Sequence, residues 1–255
     1  MSRSTKLFLD ILLGAVVPIL VLSYLTDTLG AVPTYLLAAL IPVGWVFVDL
    51  FFITKRINFI TGFLGLNALV RGLLAFWFVD GLLYALKDTS GGVLTVMIFG
   101  GSLLIGRPVV RAFAEQSLDP RSPKQESAVE GLFRERPVAR ALFWSTALLT
   151  AVNAATSLAN FLLNLRIVTA AFGTQDFNTQ VAQVNAITRI ALGIPEMAAW
   201  GVALYLIFRA LYKTLHTQLP NASREHDLWD LIEKRDAQRD AQKEHAATST
   251  EGSTE

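Results

Sequence analysis

The sequence predicts an all-α membrane protein, a polytopic bundle of about six transmembrane helices with a cytoplasmic C-terminal helical tail. Hydrophobic residues make up 53% of the 255 positions and charged residues only 17%, which is more apolar than an ordinary soluble domain. The apolar residues form six stretches near bilayer length, and most charges lie between or after them. This division predicts a membrane domain over residues 1–216 and a cytoplasmic tail over residues 217–255.

Six apolar stretches approach the length of about 20 residues that a helix needs to cross a bilayer. The predicted spans cover residues 7–25, 35–53, 59–79, 92–106, 138–165 and 184–208. The fourth is the shortest, and the last two are long enough to tilt. We interpret the first as a retained span and not a signal peptide, because its apolar run is too long and contains Asp10 and Pro18.

The basic residues of the connections predict the orientation. Lysine and arginine concentrate before the first span, between the second and third, between the fourth and fifth, and after the sixth. The opposite side carries only Lys87 and Arg166. This asymmetry predicts an inner-membrane protein with both termini in the cytoplasm, which requires an even number of spans.

The tail contains a stretch of mixed charge, residues 223–244, that predicts one cytoplasmic helix. Leu228, Leu231 and Ile232 share one face of this helix. Two interpretations stay open: a face that lies on the membrane or on a partner, or a solvated helix with one apolar turn. Residues 246–255 are mainly Ser, Thr, Gly and Glu and are expected to be disordered.

Charged side chains inside the spans are the first candidates for a functional site, because a charge in the bilayer needs a partner or a cavity. Arg71 lies roughly 18 Å into a hydrocarbon core about 30 Å thick. In the sixth span, Arg189 and Glu196 share one helical face, and Arg71 falls between them in depth. The alternatives are a buried Arg71–Glu196 pair that fixes packing, or a polar cavity that meets a ligand or ion. Asp10 and Asp49 are expected in ion pairs near the cytoplasmic surface.

The fifth span carries a polar stripe, six polar residues spaced three and four apart that share an arc of about 80°. Its members are Thr146, Thr150, Asn153, Ser157, Asn160 and Asn164. In the third span, Asn67 lies one turn before Arg71 and faces the same interior. Hydrogen bonds between helices and ligand binding both explain the stripe. A ladder of small residues on the opposite side of this span predicts a second close helix contact. The ladder consists of Ala147, Ala151, Ala155 and Ala159.

Two further groups of polar residues lie outside the predicted spans. Lys87, Asp88 and Thr89 form a distinctive tripeptide in the outer connection over residues 80–92, which predicts an interfacial or re-entrant turn. Four arginines flank the large cytoplasmic connection at headgroup depth, where anionic-lipid contact and simple anchoring are the alternatives. They are Arg107, Arg111, Arg136 and Arg140.

What the sequence lacks disfavours several classes of function. The net charge of +1 gives no basic face for nucleic acid. The chain has no cysteine, and His216, His226 and His245 all follow the last predicted span. A metal, cofactor or histidine-based catalytic site is therefore not expected in the membrane. The sequence also lacks nucleophile-elbow, Walker A and dinucleotide-binding motifs, so we expect a non-enzymatic protein with no catalytic residue and no cofactor.

An ordered set of short motifs runs through the first four spans. They are Asp10, Pro18 and Tyr24, then Arg56-x-Asn58, then Lys87-Asp88-Thr89, then Ser102 with Arg107-Pro108. This pattern, over about residues 7–113, resembles an uncharacterised bacterial family of multi-pass membrane proteins that is distantly similar to intracellular septation protein A. The resemblance implies an inner-membrane protein of about six spans that serves envelope upkeep and division, and it brings no catalytic residues.

Two hypotheses for the function stay open. The first is a structural or partner-binding protein of envelope homeostasis, with the polar interior as packing contacts. The second is a small-solute or lipid transporter with a site formed by Arg71, Glu196 and the polar stripe. Membrane lipids are the expected partners, and other membrane proteins or a second copy of the chain are alternatives. A water-accessible cavity at Arg71 favours the second hypothesis, and a dry, fully paired interior favours the first.

Overall fold

The computed structural model describes residues 3–55, 59–118, 120, 122–219 and 228–251. All regular secondary structure in these ranges is helical, which confirms the predicted all-α class. The α-helices are α1 (Arg3–Ile11), α2 (Val17–Tyr24), α3 (Thr26–Leu29), α4 (Ala31–Val48), α5 (Phe59–Ala75), α6 (Gly81–Leu104), α7 (Val110–Leu118), α8 (Pro123–Phe133), α9 (Arg136–Ile167), α10 (Gln175–Ala191), α11 (Gly193–Gln218) and α12 (Leu228–Glu251). Two π-helical segments, Leu12–Val16 and Asp49–Thr54, continue α1 and α4. Arg56 and Asn58 of the family-like pattern lie outside the described residues.

Before the tail helix α12, the described helices other than α3, α7 and α8 form six rods. The first is α1 with α2, the second α4 with its π-helical segment, the third to fifth α5, α6 and α9, and the sixth α10 with α11. Within the described residues, four stretches are long and apolar enough to cross a membrane: Ala31–Ile53, Gly81–Leu104, Arg136–Ile167 and Gln175–Gln218. Phe8–Tyr24 and Phe59–Ala75 are apolar but shorter.

The outer surface of the rods is apolar. Phe52 is 73% exposed, Met197 76% and Leu104 91%. Large apolar side chains at such exposure are unfavourable in water over a continuous surface, and they match the hydrocarbon of a bilayer. The exposed apolar surface and the length of the rods together support a membrane protein.

The rods close into a ring. α9 packs against α6, α6 against α5, α5 against α4, α4 against α2, α2 against α10, and α10 against α9. α11 continues α10 and also packs along α9. Side chains from all six rods therefore face a common interior, which is where a charged group can avoid lipid.

Two predicted boundaries are wrong, and both errors concern helices that begin earlier than expected. α6 begins at Gly81 and not near residue 92, because backbone groups in a bilayer must be satisfied within the helix even where the sequence is rich in turn formers. The sixth rod begins at Gln175, where the Thr174 hydroxyl accepts a hydrogen bond from the Phe177 backbone. It then breaks at Leu192, so the single predicted helix over residues 184–208 is two helices.

The apolar core is divided into two clusters at opposite ends of the ring. We call the end that carries Arg107 and Arg136 the basic end. Its cluster joins α7, α8, α9, α11 and α12 around Leu132, Leu142 and Ile207, which are almost fully buried. The far-end cluster joins α2, α4, α6 and α10 around aromatic side chains. Polar residues occupy the layer between the two clusters.

The tail helix α12 packs on its own chain at the basic end. Leu231 and Ile232 are 0% exposed in the basic-end cluster, and Trp229 Nε1 donates to the Leu118 carbonyl. Arg235 donates to the Ala128 carbonyl, and burial lowers the pKa of its guanidinium. The apolar face of α12 therefore lies on its own chain. It lies neither on the membrane or a partner nor in solvent, so both open interpretations are wrong.

The helical state of the tail also extends further than expected. α12 continues to Glu251, so the predicted disorder is wrong for residues 246–251. Residues 220–227 and 252–255, which include the first predicted residues of the helix and the end of the chain, lie outside the described residues.

Packing of α12 predicts that the tail contributes to stability. Ile232→Ala removes fully buried apolar atoms and should lower the free energy of unfolding by about 2–5 kcal/mol. Lys234→Ala, at an exposed position of the same helix, is the matched control and should change it by less than about 0.5 kcal/mol. Thermal unfolding in detergent measures both. Equal midpoints for the two variants would show that α12 does not pack as described.

Candidate functional site

The candidate site surrounds a close contact of three helices at Gly91 and Gly92 of α6. A Cβ atom at Gly92 would collide with the Ser157 hydroxyl of α9. A Cβ atom at Gly91 would lie 2.6 Å from Nε of Arg71 in α5. Because only hydrogen atoms fit in these gaps, the two glycines let α6 pack tightly between α5 and α9.

Asp88, one turn before these glycines, joins α6 to the polar stripe. Its Oδ2 atom accepts hydrogen bonds from Nδ2 of Asn160 and from Nδ2 of Asn164, each at 3.0 Å. Thr89 Oγ1 lies 3.5 Å from the same Asn160 nitrogen. The stripe therefore faces the interior as predicted, and a carboxylate of α6 is its main partner.

The prediction that Lys87, Asp88 and Thr89 form an outer-loop motif is wrong. They lie inside α6, where Lys87 is 5% exposed and Thr89 6% exposed. Lys87 Nζ donates to the Trp77 carbonyl and lies 4.9 Å from the ring centre of Tyr35. A carbonyl oxygen and an aromatic face both carry partial negative charge, so they stabilise an ammonium group in this buried position.

In the half of the stripe nearer the basic end, the polar side chains form hydrogen bonds within α9. The side chains of Thr146, Thr150 and Asn153 each donate a hydrogen bond to the carbonyl one turn earlier in α9. Such bonds within one helix remove the cost of a polar group in the membrane without a partner. The hydrogen bonds from the stripe to another helix come from its far half, from Asn160 and Asn164 to α6.

The small-residue ladder of α9 does not make the predicted close helix contact. Ala151 and Ala155 are exposed. The neighbour α11 packs on a different face of α9, where the Ser145 hydroxyl donates to the Ala203 carbonyl at 3.1 Å. A ladder of alanines permits a close approach, but the hydrogen-bonding face of the helix decides where its neighbour lies.

Glu196 belongs to α11 and binds α9. Its Oε1 atom accepts a hydrogen bond of 2.7 Å from the Thr156 hydroxyl. Within the described residues no ion pair joins Glu196 to Arg71, so the predicted pair is not formed. Arg189 and Glu196, expected on one helical face, bind different neighbours across the turn at Leu192. α11 holds Glu196 against α9, while α10 carries Arg189 toward α2.

Arg189 binds a backbone carbonyl in the first rod. Its Nη2 atom donates to the Gly14 carbonyl at 2.7 Å. Pro18, four residues later, has no N–H group and cannot bond that carbonyl in an α-helical turn. Gly14 also lies in the π-helical segment Leu12–Val16, a geometry that recurs at functional sites. Proline and π-helical geometry thus make an acceptor available for an arginine from another rod.

Arg71 lies beside a polar contact between α5 and α6. Asn67 Nδ2 donates to the Gly91 carbonyl at 3.3 Å and lies 3.5 Å from Thr95 Oγ1. This contact places Asn67 and Arg71 on the interior face of α5, as predicted. The Arg71 side chain is exposed to the interior space and makes no ion pair with a described residue.

Two cavities meet at these arginines. The Lys87 cavity, of about 140 Å³, lies toward the far end. The Asp10 cavity, of about 410 Å³, lies toward the basic end. Both are lined by Gly14, Pro42, Val43, Arg71 and Arg189. The interior is therefore not fully packed, and the two arginines stand where the cavities adjoin.

The two cavities differ in charge. Besides the shared arginines, the Lys87 cavity is lined by Lys87 and Asp88, so cationic groups outnumber carboxylates. The Asp10 cavity is lined by Asp10 and Asp49, which balance the arginines. Asp10 accepts a hydrogen bond of 2.8 Å from Trp45 Nε1. Both aspartates were expected near the membrane surface, and they also border the interior space.

The four headgroup arginines lie at the basic end. Arg107, Arg136 and Arg140 are exposed, and Arg111 is half-buried with its Nη2 atom 3.9 Å from Oε1 of Glu130. Their contact with anionic lipid stays a prediction. Their common location at the ends of α6 and α9 agrees with the expected boundary of the bilayer.

Several residues of the site were not predicted. Tyr35 and Tyr84 line the Lys87 cavity, and Trp45 lines the Asp10 cavity. Each is an aromatic residue with a polar atom in an otherwise apolar helix, a residue type that needs a hydrogen-bond partner or water when buried. This need for a partner or water is the sequence signal that could have placed these three residues in the site. The Gly14 carbonyl carries no side-chain signal and could be inferred only from Pro18.

No family model, curated protein or solved structure matches this chain. The resemblance to the septation protein A-like family therefore stays a prediction. The fold and site define an all-α protein with helices long and apolar enough to cross a membrane and with charged interior cavities.

The contact at Gly92 predicts a specific pair of coupled variants. Gly92→Ala should lower the free energy of unfolding by about 1–3 kcal/mol, because its methyl group meets the Ser157 side chain. Adding Ser157→Gly should restore much of this loss. Gly100→Ala is the control on the same helix, since its Cβ would lie an ordinary 3.5 Å from Thr150 Cγ2. Additive losses in thermal unfolding would mean that residues 92 and 157 do not touch.

The role of Asp88 predicts different effects for two substitutions. Asp88→Ala leaves the Asn160 and Asn164 amides without their main acceptor and should cost about 1.5–3 kcal/mol. Asp88→Asn keeps an oxygen at the same position and should cost clearly less. Thermal unfolding in detergent compares the two variants. Equal losses would show that the charge of Asp88, and not its oxygen, holds α6 to α9.

Proposed function

We propose that the chain is an inner-membrane protein of six spans, with both termini in the cytoplasm, that binds and carries a small anionic solute through its interior cavities. One observation carries the proposal. Arg71 and Arg189 line both cavities, and neither forms an ion pair with a described residue. A small carboxylate or phosphate is the natural counter-ion for such a pair.

The argument for an anion rests on the cost of uncompensated charge. Arginine does not lose its proton in proteins, so these two side chains stay positive. Asp88 and Glu196 are near enough to attract Arg189, and Arg71 is near enough to repel it. Both carboxylates already accept hydrogen bonds from neutral groups of α9. A bound anion between the arginines would pair with both directly, which no described carboxylate does.

The positions of the cavities support carriage as well as binding. They follow one another from the basic end to the far end and share a wall at the arginines. Pro18 and Pro42 line this region, and the π-helical segments lie in the same two rods. Prolines and π-helical turns are the usual points at which membrane helices bend, so the shared wall lies where the rods are least regular.

Six spans follow if every rod crosses the bilayer. The two shorter apolar helices, Phe8–Tyr24 and Phe59–Ala75, each have 17 residues and a length of roughly 26 Å, slightly less than a core of about 30 Å. Local thinning of the bilayer accommodates such a deficit at modest cost. The distribution of basic residues supports the cytoplasmic location of both termini.

A structural or partner-binding role in envelope homeostasis is the second candidate. The far half of the polar stripe favours it, because Asp88 accepts hydrogen bonds from the Nδ2 atoms of Asn160 and Asn164 and so joins α6 to α9 within the chain. The resemblance to the septation protein A-like family supports the same role. If this candidate is correct, water and ions do not reach Arg71.

Charge-selective labelling distinguishes the two candidates. The natural chain has no cysteine, so Ala39→Cys introduces a single thiol into the wall of the Lys87 cavity. We expect an anionic thiosulfonate reagent to react faster there than a cationic one. Arg71→Gln or Arg189→Gln should reduce this preference by about fivefold or more, since two charges about 8 Å apart interact by about 2 kcal/mol at an effective dielectric of about 20.

The control is Ala171→Cys, at an exposed position of the α9–α10 connection. It should react with either impermeant reagent added outside intact cells, which also reports the proposed orientation. No reaction at Ala39→Cys with either reagent would favour the structural candidate. A preference for the cationic reagent would contradict the anionic solute. Uptake of labelled acetate or phosphate into vesicles that contain the protein then tests carriage directly.

A further inference from the structure

A groove of about 890 Å³ lies at the basic end, outside the ring and separate from the interior cavities. Its walls come from the start of α5, the end of α6, α7 and the end of α8. One part of its lining is apolar and the other is charged. A groove with this division at the edge of a membrane-crossing helix suits an amphipathic molecule.

The charged part of the groove is built on a fixed turn. The Ser102 hydroxyl donates to the Phe99 carbonyl at 2.6 Å and accepts from the Val109 backbone at 3.0 Å. Gly106 takes a positive φ of 73°, which favours glycine, and turns the chain at this point. Arg107 therefore leaves the end of α6 in a defined position at the mouth of the groove.

The charges of the groove leave Arg107 available. Glu130 engages two other arginines of the lining: it lies 2.7 Å from Arg134 and 3.9 Å from Arg111. Arg107 is exposed and makes no hydrogen bond or ion pair through its side chain with a described residue. With Glu115 included, three guanidinium groups face two carboxylates. The groove therefore retains a positive charge.

The apolar part of the groove lies on the membrane side of Arg107. Met97 is 60% exposed, Ile105 75% and Phe59 42%. At Gly101, between them, a Cβ atom would meet no other atom within 4 Å, so the floor of the groove is open. This apolar channel leads away from the arginine along α6, in the direction that an acyl chain takes from its headgroup.

We propose that this groove is a specific binding site for one anionic phospholipid. The Arg107 guanidinium binds the headgroup phosphate, and one acyl chain lies over Gly101 between Met97 and Phe59. Arginine matches phosphate in charge and in hydrogen-bonding geometry. The site differs from general anchoring by basic residues because it needs the channel as well as the charge. It does not depend on the proposed carriage of a solute.

Lipid titration of the purified full chain tests the proposal. Phosphatidylglycerol added to the protein in detergent should raise its unfolding temperature, and phosphatidylcholine should not. Arg107→Gln should weaken the binding of phosphatidylglycerol by about fivefold, as expected for one basic group near a lipid surface. Gly101→Leu adds a side chain to the channel at a position where a Cβ atom meets no other atom within 4 Å; it should abolish the temperature shift while leaving the lipid-free protein at least as stable.

Two controls decide between the alternatives. Arg140→Gln removes an exposed arginine at the same end but outside the groove and should leave the shift unchanged. If it weakens binding as much as Arg107→Gln, the attraction is general and the site is overturned. Inorganic phosphate should give no shift. If phosphate alone reproduces the shift, or Gly101→Leu retains it, the occupant is not a lipid.

Discussion

The close approach of α6 to α5 and α9 at Gly91 and Gly92 determines the rest of the ring. In lipid, apolar side chains gain little by leaving one apolar environment for another, so helices associate through close packing and hydrogen bonds. The two glycines supply the packing, and Asp88 supplies a hydrogen-bonded link one turn away. Once α6 is held on both sides, Arg71 and the stripe face the same interior space, and the remaining rods complete the ring around it.

The interior combines satisfied and unsatisfied polarity. Asp88 and Glu196 have neutral partners on α9, whereas Arg189 binds a backbone carbonyl and both arginines line the cavities. This arrangement assigns helix packing and ligand binding, which were alternatives for the whole polar cluster, to different residues. The asparagines hold helices together, and the arginines face open space. Packing and binding are therefore both present, at different residues of one polar layer.

The sequence predicted the class of fold and the inward face of the stripe because each depends on a pattern within one helix. The prediction was wrong where a residue type favours different structures in water and in a bilayer. Thr89, Ser90, Gly91 and Gly92 are typical of a turn in water, but they form helix in a bilayer and become its closest contact. The Arg71–Glu196 pair failed for another reason, since depth along two helices does not say which neighbours they face. On either side of the turn at Leu192, Glu196 binds α9 and Arg189 binds the Gly14 carbonyl of the first rod.

The turn at Leu192 also lies between two hydrogen-bonded blocks of the ring, which touch each other through α5 and where α10 packs on α9. α6 and α9 form one block, held by Asp88 and the glycine contact. α10, α2 and α4 form the other, since Asn178 Nδ2 donates to Thr26 Oγ1 and to the Ala31 carbonyl. The bend at Leu192 joins the blocks, and the cavities lie between them. α10 has 17 residues and is about 25 Å long, so each degree of change in the bend moves its far end by about 0.4 Å. A rotation of about ten degrees would therefore move the far end of α10 by about 4 Å, more than the diameter of a water molecule, without breaking a contact inside either block.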